Sequence, residues 1–74
     1  MNTVTITTEY IRLDSLLKLA GMIDTGGMAK FVIQDGKVKV NGETCLMRGK
    51  KLRDGDTAEF DGNTVIVKIA AGDR

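Results

Sequence analysis

The sequence predicts an α+β domain in which two N-terminal helices pack on a small, mainly antiparallel β-sheet. Three observations carry that expectation. Apolar residues recur at helical spacing up to Gly36 and at every second position from Lys37 onward. Asn41-Gly42 interrupts the alternating stretch where a two-residue hairpin turn belongs. The 74 residues contain no proline and no internal linker, so residues 1–74 are expected to form one domain around one small core.

Taken in order, Thr3-Val4-Thr5-Ile6 alternates and reads as a short strand. A first helix follows, with Thr8 as its expected cap and Tyr10, Leu13, Leu16, Leu17 and Ala20 as its buried stripe. Gly21 stands where that helix should stop. The second helix is expected to be capped by Thr25, to bury Ala29, Val32 and Ile33, and to close at Gly36. The short link between the two helices favours a helical hairpin. Across the Asn-Gly turn, Val40 should face Glu43 and Val38 should face Cys45. That register puts Val38, Val40 and Cys45 on one side and Lys37 and Lys39 on the other. Two further strands, Thr57–Phe60 and Thr64–Ile69, are joined through Asp61-Gly62-Asn63. Arg48–Asp56 reads as a loop with two glycines and four basic residues.

Composition removes several functions. There is no histidine, which argues against a histidine-based triad or an imidazole base, and the carboxylates are scattered, so no enzymatic activity is expected. A single cysteine permits no internal disulfide and no ordinary structural zinc site; Cys45 fits a small core residue better than a nucleophile. No metal or cofactor is called for. No apolar run is long enough to cross a membrane, and the N-terminus lacks the order of a secretion signal. A cytoplasmic location is the expectation.

Charge is the informative feature. The chain has a net charge of +1, yet Lys37–Arg53 holds six basic residues against Glu43 alone. That stretch carries +5 and the other 57 residues carry −4. A phosphate backbone responds to the nearest charges, within a Debye length of about 8–10 Å, rather than to the sum. A charge run can also be nothing more than a solvated face. Thr25-Gly26-Gly27 opens the second helix with uncrowded backbone N–H groups, which suits an anion, although two glycines equally suit a tight link. Lys30 lies one turn later. Asn41 fits the turn first and a base or ribose second. Tyr10, Phe31 and Phe60 are the only aromatics, Tyr10 fitting the first helix's stripe and Phe60 a strand end, so recognition by stacking is not expected. Folded or double-stranded RNA, read by shape and backbone, suits these residues better.

The order Ile11–Gly21, Thr25–Glu43 and Arg48–Asp56 resembles the S4-type, or alpha-L, RNA-binding domain, in particular its short stand-alone bacterial members of the YaaA and YbcJ type. The resemblance runs from about Ile11 to Phe60. It is most specific in the spacing of Ala29, Ile33, Gly36, Val38, Val40, Asn41 and Gly42, followed by Leu52, Gly55 and Asp56. It implies the alpha-L fold and binding of structured RNA, with ribosomal RNA the expected target; a monomer without a small-molecule substrate is the further expectation. By position it assigns RNA contact to Arg12, Lys30, Lys37, Lys39, Asn41, Arg48, Lys50 and Lys51. The residue reading adds Thr25, Gly26, Gly27 and Arg53. Two departures stand out: Gly26 follows Thr25 where many members have arginine, and Met47 stands where small members often have another.

Two other readings fit parts of the chain. One is a protein-interaction module of β-rich, ubiquitin-like shape, although the ending Ala-Ala-Gly-Asp-Arg lacks the Gly-Gly of a sulfur carrier. The other is an accessory subunit of an RNA-modifying enzyme, which would need a catalytic partner.

Overall fold

The computed structural model describes residues 2–70, so the ending that argues against a carrier lies, from residue 71 on, outside the described residues. The chain enters through a strand, β1 (Asn2–Ile6), then a two-residue strand, β2 (Ile11–Arg12), then helices α1 (Leu13–Leu19) and α2 (Gly26–Gln34). The remaining strands are β3 (Val38–Val40), β4 (Glu43–Thr44), β5 (Lys51–Leu52), β6 (Thr57–Phe60) and β7 (Asn63–Ile69). Five of them form a sheet in the order β1-β7-β6-β3-β4, while β2 and β5 pair separately as a two-stranded ribbon.

One buried cluster unites the two layers. Leu13, Leu16 and Leu17 of α1 and Ala29, Val32 and Ile33 of α2 meet the inward residues of the sheet, among them Val4, Val38, Val40, Ala58, Val65 and Val67. Leu52 of the ribbon is fully buried in the same cluster. β1, β3, β6 and β7 alternate, so the sheet's other face displays Thr5, Lys39, Glu59 and Lys68.

The local expectations for α2 and the hairpin agree with the structure. Thr25 Oγ1 accepts from the Met28 amide at 3.1 Å and caps α2. At the other end Gly36 takes φ +77°, with Gly36 N donating to Ile33 O and Lys37 N to Val32 O, both at 3.1 Å. That pair of bonds closes the last turn and sends the chain straight into β3. Asn41 and Gly42 both have positive φ, at 52° and 87°, as the tight turn requires. Val40 faces Glu43, and Cys45 N donates to Val38 O at 3.0 Å, continuing the ladder. Cys45 packs half-buried against the core.

Two expectations are corrected. The sheet, expected to be mainly antiparallel beneath two N-terminal helices, is mixed: the strand read at Thr3–Ile6 is β1, which precedes both helices and runs parallel to β7, with Val4 opposite Val67. A parallel pair needs a long crossover, and everything between β1 and β7 supplies one. α1 also starts later than the apolar stripe suggests. Thr8 Oγ1 donates to Tyr10 O at 2.8 Å rather than capping a helix, and Tyr10 and Ile11 are extended ahead of α1. The residue at the N-cap is Arg12, whose side chain makes no capping bond.

Candidate nucleic-acid interface

The start of α1 is closed by backbone from a distant loop. Leu13 N donates to Lys50 O at 2.8 Å and Asp14 N to Arg48 O at 3.1 Å. Two of the orphan amides of a helix N-terminus are thereby satisfied without a capping side chain. The loop is tightened by Lys50 N donating to Met47 O at 3.1 Å. Gly49 lies against Arg12: a Cβ built there would sit 3.9 Å from both Arg12 Nε and Nη2.

The chain then runs into β5, which pairs with β2 in the register Ile11–Leu52 and Arg12–Lys51. One step further along this antiparallel pair, Tyr10 comes opposite Arg53. Ile11 and Leu52 turn toward the core, so Tyr10, Arg12, Lys51 and Arg53 share the outer face. Lys51 Nζ lies 4.8 Å and Arg53 Cζ 5.6 Å from the centre of the Tyr10 ring. Arg12 and Lys51 therefore stand directly across from each other, an unfavourable pairing of like charges in the free protein. Asp14 partly relieves it, with Oδ2 3.2 Å from Arg12 Nη2.

The carboxylates that follow Arg53 in sequence accept from backbone amides. Asp54 Oδ1 accepts from Ile69 N at 2.8 Å, and Asp56 Oδ2 accepts from Arg53 N at 2.8 Å. Among the described residues the ion pairs are Arg12–Asp14 and Lys37–Asp35. Lys51 and Arg53 have the Tyr10 ring as their neighbour and no carboxylate partner among the described residues.

Five of the twelve residues singled out from sequence thus come together: Arg12, Arg48, Lys50, Lys51 and Arg53. The others belong to α2, β3 and the hairpin, where Asn41 still shares a groove with Lys50. Thr25, Gly26 and Gly27 open α2, about 13 Å along the helix axis from its C-terminal end. Lys30 is exposed on α2. Lys37 pairs with Asp35 at 3.4 Å. Lys39 projects from the outer face of the larger sheet, where it faces Glu59 on β6 and Thr44 on β4. Asn41 is exposed at the hairpin tip, but its side chain is engaged by the protein itself. Its Nδ2 donates to Asp56 Oδ1 at 3.2 Å, and its Oδ1 accepts from Thr57 N at 2.9 Å. Those bonds tie the hairpin tip to the start of β6.

Tyr10 joins this outer face although its spacing also fits the helical stripe with Leu13 and Leu17. The signal that distinguishes it is short: Tyr10-Ile11-Arg12 and Lys51-Leu52-Arg53 each place one apolar residue between two that turn outward. Among the described residues no three metal-ligating side chains lie close enough to hold a metal ion. Among the described residues no helix is long and apolar enough to cross a membrane.

A helix pair, a following β-hairpin and a cationic ribbon at the start of the first helix define a small α+β domain of the alpha-L type. A family model for the S4 domain matches residues 4–68, and the chain belongs to that family. It is 46% identical to "Probable ribosome maturation protein RlbA" of Bacillus subtilis over 61 residues, which cover 82% of this chain and 86% of that protein. It is 38% identical to "Putative RNA-binding protein YbcJ" of Escherichia coli over 58 residues, covering 78% and 83% respectively. The solution structure of Escherichia coli YbcJ, described as having an alpha-L motif involved in RNA binding, superposes with a TM-score of 0.71. That match is at 35% identity and covers 92% of this chain and 87% of the other.

Proposed function

We propose that this chain is an RNA-binding module that docks on structured RNA, and that its target is ribosomal RNA within a ribosome or an assembly intermediate. Membership of the S4 domain family and the names of the two relatives support the RNA class and the ribosomal setting. The observation that carries the reading is the ribbon at the start of α1, where Arg12, Arg48, Lys50, Lys51 and Arg53 are gathered by backbone bonds and strand register. Each phosphate they neutralise releases condensed counterions, the main source of affinity for nucleic acid. Lys30, Lys37, Lys39, Asn41 and the Thr25-Gly26-Gly27 helix start are outlying contacts that fit a large folded RNA better than a short strand. The protein acts in the cytoplasm as a single-domain monomer, without a metal, a cofactor, a small-molecule substrate or catalysis of its own.

The test is a salt series with structured RNA, comparing the parent chain with Arg48→Ala/Lys50→Ala. Loss of two phosphate contacts lowers the slope of log K against log salt by about 2. Equal slopes would remove that loop from the interface.

One observation favours a second reading, a protein-interaction surface. Leu46 and Met47 are 58% and 63% exposed, and they line a shallow groove with Val40, Asn41, Glu43, Thr44, Cys45 and Lys50. Large exposed apolar side chains gathered in a groove are a common mark of protein contact. Capture of a protein partner that survives nuclease treatment and is lost in Leu46→Ser/Met47→Ser would favour this reading.

A further inference from the structure

We propose that Tyr10 is a nucleotide-contact residue: its ring takes the base of an unpaired nucleotide in the folded RNA, while Lys51 and Arg53 take the flanking phosphates. The inference rests on the RNA-binding reading above and goes beyond its phosphate contacts.

Three features converge on this ring. The first is its setting. Tyr10 is half-buried on the outer face of the β2–β5 ribbon, with the ammonium of Lys51 at 4.8 Å and the guanidinium carbon of Arg53 at 5.6 Å. Cation–ring contacts of this kind are weak at exposed sites. A phosphate drawing either cation away gains a full charge pair and uncovers the ring. The second is that neither cation is in an ion pair among the described residues. Asp54 and Asp56, on either side of the turn after Arg53, accept from the amides of Ile69 and Arg53, leaving both cations available to an external anion. The third is the pocket beside the ring, lined by Thr7, Thr8, Glu9, Tyr10, Arg12 and Ser15. Its hydroxyls and the Glu9 carboxylate suit the donors and acceptors of a base edge. Glu9 repels a phosphate, so the base enters the pocket and the phosphates stay over the ribbon.

The arrangement fits RNA that is mostly paired but presents a bulged or looped-out residue. Such bases are the ones free to stack on an aromatic side chain. It also explains how one tyrosine suffices, where a strand-tracking protein needs a row of aromatics.

The experiment compares two RNAs, a fully paired duplex and the same duplex with one bulged nucleotide. The parent chain binds the bulged RNA at least about fivefold more tightly, the low end of one base–aromatic stack. Tyr10→Phe keeps that preference. Tyr10→Leu loses it while still binding the paired duplex with an unchanged salt slope, which also shows that the variant is folded. A readout without substitution comes from the ring resonances of the parent, which belong to one residue because the chain has a single tyrosine. They shift with the bulged RNA and much less with the paired one. Equal binding of the two RNAs by the parent, or a preference kept in Tyr10→Leu, overturns the role of Tyr10 and leaves the RNA-binding reading standing. Failure of the parent to bind either RNA overturns both.

Discussion

The amide of Leu13 donates to the carbonyl of Lys50 at 2.8 Å, so the first turn of α1 is completed by the backbone of the basic loop. The Lys50 side chain takes no part in that bond. Its charge is therefore separable from its structural role. In Lys50→Ala the cap persists, and stability to urea stays within about 0.5 kcal/mol of the parent, as for other exposed positions. The salt slope of RNA binding falls by about 1. A large loss of stability would mean that the loop is held by its side chain after all.

The ion pair between Arg12 and Asp14 makes the opposite prediction for affinity. Asp14 Oδ2 lies 3.2 Å from Arg12 Nη2, and its Oδ1 accepts from Ser15 N at 2.8 Å. Asp14→Asn keeps an oxygen for Ser15 and removes a negative charge from the middle of the cationic group. RNA affinity at low salt rises by about two- to fivefold, the scale of one charge at a few ångströms in water. Stability falls by no more than about 1 kcal/mol, because the pair is solvent-exposed on the arginine side. Titration of labelled RNA at fixed low salt, with a melting curve alongside, measures both. A weaker complex would indicate that Asp14 orients Arg12 for binding.

Asn41 separates turn geometry from hydrogen bonding. Its φ of 52° is left-handed, and its amide bridges Asp56 and Thr57. Asn41→Gly keeps the turn and loses the bonds, at a cost of about 1–2 kcal/mol. Asn41→Ala loses the bonds and adds left-handed strain of about 1 kcal/mol more. Denaturant midpoints should therefore rank parent, then glycine, then alanine. If alanine matched glycine, the strain at this turn would be absorbed elsewhere.

How much of this was legible beforehand depends on the distance over which each feature is decided. α2 and the Asn41-Gly42 hairpin are set by residues within a turn of one another: a Thr25 cap, a Gly36 stop, alternating valines. Both were readable. The start of α1 is set by carbonyls of Arg48 and Lys50, far along the chain, so the stripe from Tyr10 to Leu17 overstated the helix. The β1–β7 pairing is more distant still, and alternation in Thr3–Ile6 identifies a strand without naming its partner or direction. The basic cluster was visible as a count in the sequence. Which of its members share a face was not, because that follows from the two-residue β5 strand, where Leu52 turns inward and Lys51 and Arg53 outward.

That division yields a test on the two halves of the basic stretch. Lys37 is already paired with Asp35 at 3.4 Å, and Lys39 leaves β3 on the face opposite Val38 and Val40, across from Glu59. Lys50 and Lys51 bracket the junction between the loop and the ribbon, with no carboxylate partner among the described residues. Both double variants remove two positive charges, so any difference between them reports position rather than net charge. Lys50→Ala/Lys51→Ala lowers the salt slope by about 2, whereas Lys37→Ala/Lys39→Ala lowers it by about 1 or less. The measurement is the slope for one structured RNA under identical buffers. The reverse order would centre the interface on the hairpin, with the Asn41 tip and the outer sheet face as its floor, and would displace the ribbon to its rim.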